Sequence, residues 1–313
     1  MYAYDPELIP RIPALAGVDF TDYKAVRAAE SSYGPVLQYE PPTPVVTTDL
    51  AVEGPEGAPD VPVRVYRPSG HGDGLPGMLY LHSGGFVAGT VAQVDPVILR
   101  ISAEVGVVVV SVEYRLAPEN PFPAGLDDCY AVLAWAAKYA AELGIDPQRL
   151  AVCGHSAGGG LAAALALLAR DRGGPAICFQ YLGVPEIDDR LDTPSMLAYV
   201  DTPIWNRRFA EFSWDSYLGV GKRGSDNVSP YAAPARAEDL SGLPPAFVTA
   251  CQFDPLRDED IRYAQRLAQA NVPAELIVYP GAIHGTELVE EATIARRMSG
   301  DMIATLRRAL TAN

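Results

Sequence analysis

Gly154-His155-Ser156-Ala157-Gly158 sets a serine at the centre of a G-x-S-x-G run. An apolar stretch, Arg149 to Cys153, precedes it, and an Ala/Leu-rich stretch, Leu161 to Arg170, follows. That order predicts strand, sharp turn and helix, the context in which this motif presents a nucleophile. The glycines two before and two after the serine leave room where a side chain would strike the bent backbone. The helix that follows turns its free N–H groups toward the hydroxyl. A Gly/Ser turn without chemistry is the competing reading, and the flanking pattern weighs against it.

A serine nucleophile needs a base, and the chain has only 4 histidines. His71 lies in a Gly-rich loop ahead of the main strands, and His82 ends a strand. His155 sits inside the turn, where its side chain is expected to point away from Ser156. His284 follows the last expected strand, in Pro280-Gly281-Ala282-Ile283-His284-Gly285. Only His284 is placed late in the chain on a loop at the carboxyl edge of a sheet, where functional loops gather. A lone loop histidine is ordinarily a solvated side chain; position and scarcity argue otherwise here. The acid that orients such a base should also follow a strand, between serine and histidine in chain order. Asp254 fits, just after Ala246 to Cys251, although an aspartate before Pro255 also suits a helix N-cap. Asp258 and Asp260 lie further along the same helix, poorly placed to reach back. The order Ser156, Asp254, His284 is that of α/β-hydrolase triads rather than of chymotrypsin or subtilisin types. Donors for an oxyanion are expected from His82-Ser83-Gly84-Gly85-Phe86, after the strand Met78 to Leu81, and from the N–H of Ala157.

The elements that must position these groups alternate. Val45 to Val52 and Val61 to Arg67 read as antiparallel strands. Met78 to His82, Val107 to Glu113, Ile177 to Leu182, Ala246 to Cys251 and Ala274 to Tyr279 read as short buried strands. Helices are expected at Asp22 to Ser32, Val94 to Val105, Asp127 to Leu143, Leu256 to Ala270 and Glu287 to Leu310. The alternation implies a mostly parallel central sheet flanked by helices on both faces, an α/β fold. One segment interrupts it: Trp205, Phe209, Phe212, Trp214 and Tyr217 recur at near-helical spacing between two sheet strands. It reads as a core-facing amphipathic helix, as part of a cap over the site, or as both. The expected division is residues 1–45 as the N-terminal part of a helical cap and 46–187 as the first part of the core. Residues 188–227 form a cap insertion, and 228–313 the second part of the core.

Composition narrows the partners. The chain has 313 residues, 49% hydrophobic and 20% charged, enough for one large α/β domain with insertions. A formal charge of −15 disfavours nucleic acid and anionic membranes. No stretch approaches the ~20 apolar residues of a membrane span, and no signal sequence is read at the N-terminus. Cys129, Cys153, Cys178 and Cys251 are widely spaced; the last three fall in expected core strands and read as buried, reduced thiols. A cytoplasmic location follows as an expectation, and a homodimer is one option for the oligomeric state. Gly219-Val220-Gly221-Lys222-Arg223-Gly224 matches G-x-G-x-x-G but follows a helical stretch, so dinucleotide binding is discounted. S-x-x-K, H-E-x-x-H and P-loop patterns are absent.

The chain resembles the bacterial hormone-sensitive-lipase-like carboxylesterases, an α/β-hydrolase family. The resemblance rests on His82-Ser83-Gly84-Gly85-Phe86, Tyr114-Arg115-Leu116-Ala117-Pro118-Glu119, Pro121-Phe122-Pro123-Ala124, Gly154-His155-Ser156-Ala157-Gly158-Gly159, Asp254-Pro255-Leu256-Arg257-Asp258 and His284-Gly285. It implies Ser156 as nucleophile, Asp254 as acid, His284 as base, and Gly84, Gly85 and Ala157 as oxyanion donors. It also implies a helical cap and hydrolysis of short- to medium-chain carboxylic esters, a small-molecule substrate, with no metal or organic cofactor. Ser83 stands at the family's first glycine, His155 where Asp is common, and Thr286 where Phe is frequent. The expected mechanism is acyl transfer from Ser156 to water, failing on acidification through a His284 pKa of about 6–7. Amide, carbamate or lactone hydrolysis by the same triad is the nearest alternative. An acyltransferase and a non-catalytic small-molecule receptor on the same scaffold are the others.

Overall fold

Period-two alternation inside continuous apolar runs builds the centre of the molecule. In Val107 to Val112, Val108, Val110 and Val112 face one buried cluster, and Val107 and Val109 face another. A strand buried on both faces needs no polar side, which is why these runs read as unbroken hydrophobic sequence. The computed structural model describes residues 2–33 and 37–311. Residues 1, 34–36 and 312–313, parts of the expected segments 1–45 and 228–313, lie outside the described residues.

The strands are β1 (Val45–Val52), β2 (Val61–Pro68), β3 (Leu75–Leu81), β4 (Val108–Val112), β5 (Ile145–His155), β6 (Phe179–Gly183), β7 (Ala246–Phe253) and β8 (Ala274–Ile283). They form one sheet in the order β1-β2-β4-β3-β5-β6-β7-β8. β2 runs antiparallel to β1 and β4; the pairs from β4 to β8 are parallel. The principal helices, in chain order, are α1 (Tyr23–Tyr33), α2 (Val91–Ile101), α3 (Ala124–Lys138), α4 (Ala157–Arg172), α5 (Arg207–Leu218), α6 (Arg257–Gln269) and α7 (Thr293–Thr311). Side chains of α3, α4 and α6 share one core with one face of the sheet, and α2 and α7 cover the other. The connections from β3 to β4 and from β4 to β5 leave in opposite directions across the sheet. This strand reversal opens a crevice at the carboxyl ends of β3 and β5, where α/β proteins place ligands.

Several expected boundaries move. The helix read as Val94 to Val105 begins at Val91, because the Thr90 side chain accepts the Gln93 N–H, and it continues as a π turn over Ser102–Gly106. The helix read as Asp127 to Leu143 breaks at Tyr139, leaving a short second piece, Ala140–Leu143. The last helix starts at Thr293 rather than Glu287, after a 3-10 turn over Thr286–Leu288. Its start is marked from afar: the Glu7 carboxylate accepts the Thr293 N–H. A cap supplied by a residue that distant leaves no local sequence signal. Cys178 lies just ahead of β6, half-buried, rather than inside a core strand.

Helix α4 lies unusually close to its neighbours. A Cβ on Gly158 would stand 2.0 Å from the Leu81 carbonyl oxygen, and one on Gly160 2.1 Å from that of Glu186. In an open helix Gly→Ala gains about 1 kcal/mol. Here the sign reverses, since a rigid backbone must shift. Gly160→Ala is expected to destabilise the protein by about 1–3 kcal/mol, read as a fall in Tm by calorimetry.

Candidate active site

The turn from β5 to α4 carries Ser156 at φ 56°, ψ −125°, a region that L residues rarely occupy and that nucleophile elbows do. The surroundings hold it there. Its N–H donates to the Gly183 carbonyl at 2.8 Å, and its carbonyl accepts from Gly160 at 2.9 Å and Glu186 at 3.1 Å. A Cβ at Gly154 would fall 2.1 Å from the Gly158 carbonyl oxygen, so both glycines of the motif are required by contact.

Three distant loops meet at the serine. His284 Nε2 lies 3.0 Å from Ser156 Oγ, and His284 Nδ1 lies 2.7 Å from Asp254 Oδ2. Asp254 Oδ1 accepts the Leu256 N–H at 2.9 Å. The two readings of Asp254 are thus compatible: one oxygen braces the local turn while the other holds the imidazole. Asp258 instead accepts the Ser195 N–H at 2.7 Å, and Asp260 is buried without a hydrogen-bond partner. Burial disfavours the His284 imidazolium, but the charge and hydrogen bond of Asp254 outweigh it and hold the pKa above the ordinary histidine value. The arrangement can accept a proton from the hydroxyl and stabilise the imidazolium that results.

The other histidines are placed differently. His71 is exposed on its loop. His82 is fully buried, stacked on Tyr114 at 4.1 Å between ring centroids, with Nδ1 2.8 Å from the Ser83 carbonyl. Burial pushes its pKa down to about 4, so it is a neutral brace. His155 packs on Tyr181, with ring centroids 5.4 Å apart, and its Nδ1 lies 3.2 Å from the Tyr80 hydroxyl. Burial lowers its pKa as well, so its departure from the family's aspartate leaves a neutral group beside the nucleophile. Thr286 turns inward: its hydroxyl donates to the Ile283 carbonyl at 2.8 Å and closes the turn that carries His284.

After β3, Gly84 and Gly85 adopt φ 127° and 57°. Among the described residues, no acceptor takes the N–H of Gly84, Gly85 or Ala157. Ala157 is the first residue of α4, where an N–H has no helical partner. All three N–H groups are therefore unclaimed near Ser156 among the described residues. A cavity of about 430 Å³ opens there, lined by Ser83, Gly84, Gly85, Ser156 and His284 among others. The α5 segment closes one side. Trp205 stands 5.8 Å from His284 between ring centroids, and Phe20 from the N-terminal region packs on Trp205 at 5.5 Å. Trp205, Phe209, Trp214 and Tyr217 share one buried cluster with the sheet's α4 face, not a separate core. Among the described residues, no group of three or more His, Cys, Asp or Glu is arranged to hold a metal ion, and no helix is long and apolar enough to cross a membrane.

Sequence reasoning missed a set of buried groups beneath the site: Glu186, Ser213, Glu259 and Asp260 are at most 2% exposed. A carboxylate in an apolar setting carries no local signature; its burial is decided by packing.

A family model described as alpha/beta hydrolase fold matches residues 78–288. The chain is 39% identical over 313 residues to a carboxylesterase, NlhH, of Mycobacterium tuberculosis, covering 98% of each. It is 35% identical over 256 residues to an ethyl acetate hydrolase of Pseudomonas putida, covering 80% of this chain and 79% of the relative. A solved structure titled bacterial heroin esterase superposes with a TM-score of 0.92 at 44% identity, over 99% of both chains.

The proton geometry fixes the sign of the pH response. The base must be neutral, so kcat/KM is expected to fall as pH drops through a midpoint above the ordinary 6.5 of histidine. Asp254→Asn is expected to lower kcat by roughly 10³–10⁴. It should also move that midpoint downward, because the main opponent of burial is then gone. A pH profile of kcat/KM for both proteins checks both points.

Proposed function

The chain belongs to the α/β-hydrolase family, in its hormone-sensitive-lipase-like branch, and is a carboxylic ester hydrolase; on that premise we propose that Ser156, His284 and Asp254 are its catalytic triad. His284 takes the Ser156 proton as Oγ attacks the ester carbonyl, and the N–H groups of Gly84, Gly85 and Ala157 receive the oxyanion. The carbonyl–alkoxy bond breaks, the alcohol leaves with the proton from His284, and an acyl-Ser156 ester remains. Water then gives its proton to His284 and attacks the acyl carbon; the acyl–Oγ bond breaks, Ser156 takes the proton back from His284, and the acid is released. Asp254 keeps the Nδ1 proton directed away from the serine, so that Nε2 is the basic nitrogen. The observation that carries this reading is the unbroken line from Asp254 Oδ2 through His284 to Ser156 Oγ, at 2.7 and 3.0 Å.

The proposal includes the division into core and cap. Residues 1–45 and 188–227 supply Phe20 and Trp205 to the cavity wall, so they bound the substrate, while the remaining segments hold the triad. An apolar cavity of about 430 Å³ suits short- to medium-chain esters. Its wall also carries Glu30, Glu287 and Glu290, whereas Arg100 there is paired with Glu104 at 3.0 Å. A negative wall disfavours substrates ending in a carboxylate. Four unpaired cysteines support a reducing, cytoplasmic setting; recovery of the native protein mainly from an extracellular fraction would overturn that part.

Hydrolysis of p-nitrophenyl esters across acyl lengths is expected to peak at short to medium chains. Ser156→Ala is expected to fall to background, a loss of roughly a millionfold; turnover surviving in that variant sinks the triad. In the same assay, a p-nitrophenyl monoester of a dicarboxylic acid is expected to react about tenfold more slowly than its neutral counterpart of equal length.

A further inference from the structure

The loop that carries Gly84 and Gly85 has little to hold it from β3 alone. Its Gly84 carbonyl accepts from Val87 at 3.1 Å and Ala88 at 2.9 Å, closing a local turn. The Gly85 carbonyl is held from outside the loop. Ser213, on α5, donates its hydroxyl to that oxygen at 2.9 Å, across 128 residues of sequence. A Cβ at Gly85 would meet the Trp205 ring at 2.6 Å and Ser213 Oγ at 3.5 Å. Gly85 is therefore packed against two residues of the α5 segment, one of them also bonded to its carbonyl.

Behind Ser213 lies Glu186. Ser213 and Glu186 are both 0% exposed. The Glu186 carboxyl faces the Ser213 hydroxyl, and neither of its oxygens reaches a partner with full hydrogen-bond geometry. The Glu186 backbone N–H donates to the Ser156 carbonyl at 3.1 Å. One residue thus bonds the Ser156 turn through its backbone and faces the α5 serine with its side chain.

Counting protons decides the direction of this contact. A serine hydroxyl has one hydrogen, and that of Ser213 is given to Gly85. Towards Glu186 it presents only lone pairs. A carboxylate would face lone pairs with lone pairs, or would capture the hydrogen and release Gly85. A carboxylic acid completes the chain by donating.

We infer that Glu186, as the un-ionised acid, and Ser213 form a positioning relay in which Glu186 donates to Ser213, Ser213 donates to the Gly85 carbonyl, and the oxyanion loop is held in its receiving geometry. The inference rests on the assignment of Gly84 and Gly85 as oxyanion donors. The charged surroundings agree with it. The titratable groups facing Glu186 are His284, Asp254 and Glu259, two acids against one histidine. Burial foremost pushes the Glu186 pKa up to about 8, and the nearby His284 offsets it only in part. Below that value the acid is neutral and the relay is intact. Above it the carboxylate takes the Ser213 hydrogen and Gly85 loses its donor. The relay therefore gives the enzyme an alkaline limb of its own, separate from the acid limb set by His284.

The test follows kcat and KM from pH 6 to 9.5 on methyl butanoate by pH-stat, for wild type, Ser213→Ala, Glu186→Gln and Glu186→Leu. It is paired with the affinity of each protein for a butyl trifluoromethyl ketone, whose hemiketal anion occupies the oxyanion site. Ser213→Ala is expected to lose about tenfold in kcat, with a matching loss of ketone affinity and KM within about twofold. Glu186→Leu is expected to behave like it. Glu186→Gln, whose amide still donates but does not ionise, should recover most of the neutral-pH rate and lack the fall above about pH 8. Unchanged ketone affinity in Ser213→Ala, or an alkaline limb persisting in Glu186→Gln, overturns the relay. Should Glu186→Leu fail to fold, the Ser213→Ala and Glu186→Gln results decide alone. Ser156→Ala is measured alongside: turnover retained there defeats the triad and the relay with it, whereas failure in the Ser213 and Glu186 variants alone defeats only the relay.

Discussion

Ser156 is held in a backbone conformation that opposes it. A non-glycine residue at φ 56° and ψ −125° carries strain of about 1–3 kcal/mol, and much of the surrounding structure acts to keep it there. The β5 strand delivers it, α4 leaves from it, and the backbones of Gly183, Gly160 and Glu186 bond its N–H and carbonyl. The close approach of Gly158 to Leu81 and of Gly160 to Glu186 locks α4 against β3 and the loop after β6. The same contacts bring the Gly84–Gly85 loop, which continues from β3, to the cavity that Ser156 also lines. The presentation of the hydroxyl to the cavity, the free N–H of Ala157 and the placing of Gly84 and Gly85 all depend on this one turn.

The second requirement is electrostatic. The proposed base, His284, sits in a buried site, where the positive charge it would gain is disfavoured. The Asp254 carboxylate offsets that penalty at 2.7 Å, and it does so with both oxygens engaged. Around it lie further acids. Glu259 accepts the N–H groups of Ile187 at 2.9 Å and Asp188 at 3.1 Å, pinning the loop that carries Glu186. Burial first, and neighbouring acids after it, push the Glu259 and Asp260 pKa values well up. So dense a set of buried acids opposes folding unless most are neutral or hydrogen-bonded. Its location directly beneath the site fits the general rule that functional regions keep features which stability alone would remove.

Access is set by segments that are not part of the sheet. The α1 region and α5 bring Phe20, Trp205 and Phe209 together over the cavity. They join the main core instead of packing apart from it. Trp205 and Ser213 of the α5 segment both meet Gly85, by packing and by one hydrogen bond.

Some of this was written in local sequence. Backbone sterics act over a few residues, so the strand, turn and helix around Ser156 and the alternation of buried strands were legible from composition and spacing. The scarcity of histidines pointed to His284 without any coordinates. Other features depend on contacts between residues far apart. The Ser156–His284 and Ser213–Gly85 hydrogen bonds each join residues 128 positions apart. The last helix begins where Glu7 meets Thr293, 286 positions away. The burial of Glu186, and hence the protonation state it adopts, follows from desolvation by side chains drawn from several elements. Period and turn chemistry determine what each segment becomes; only the packed molecule decides which groups lose water and which partners they find.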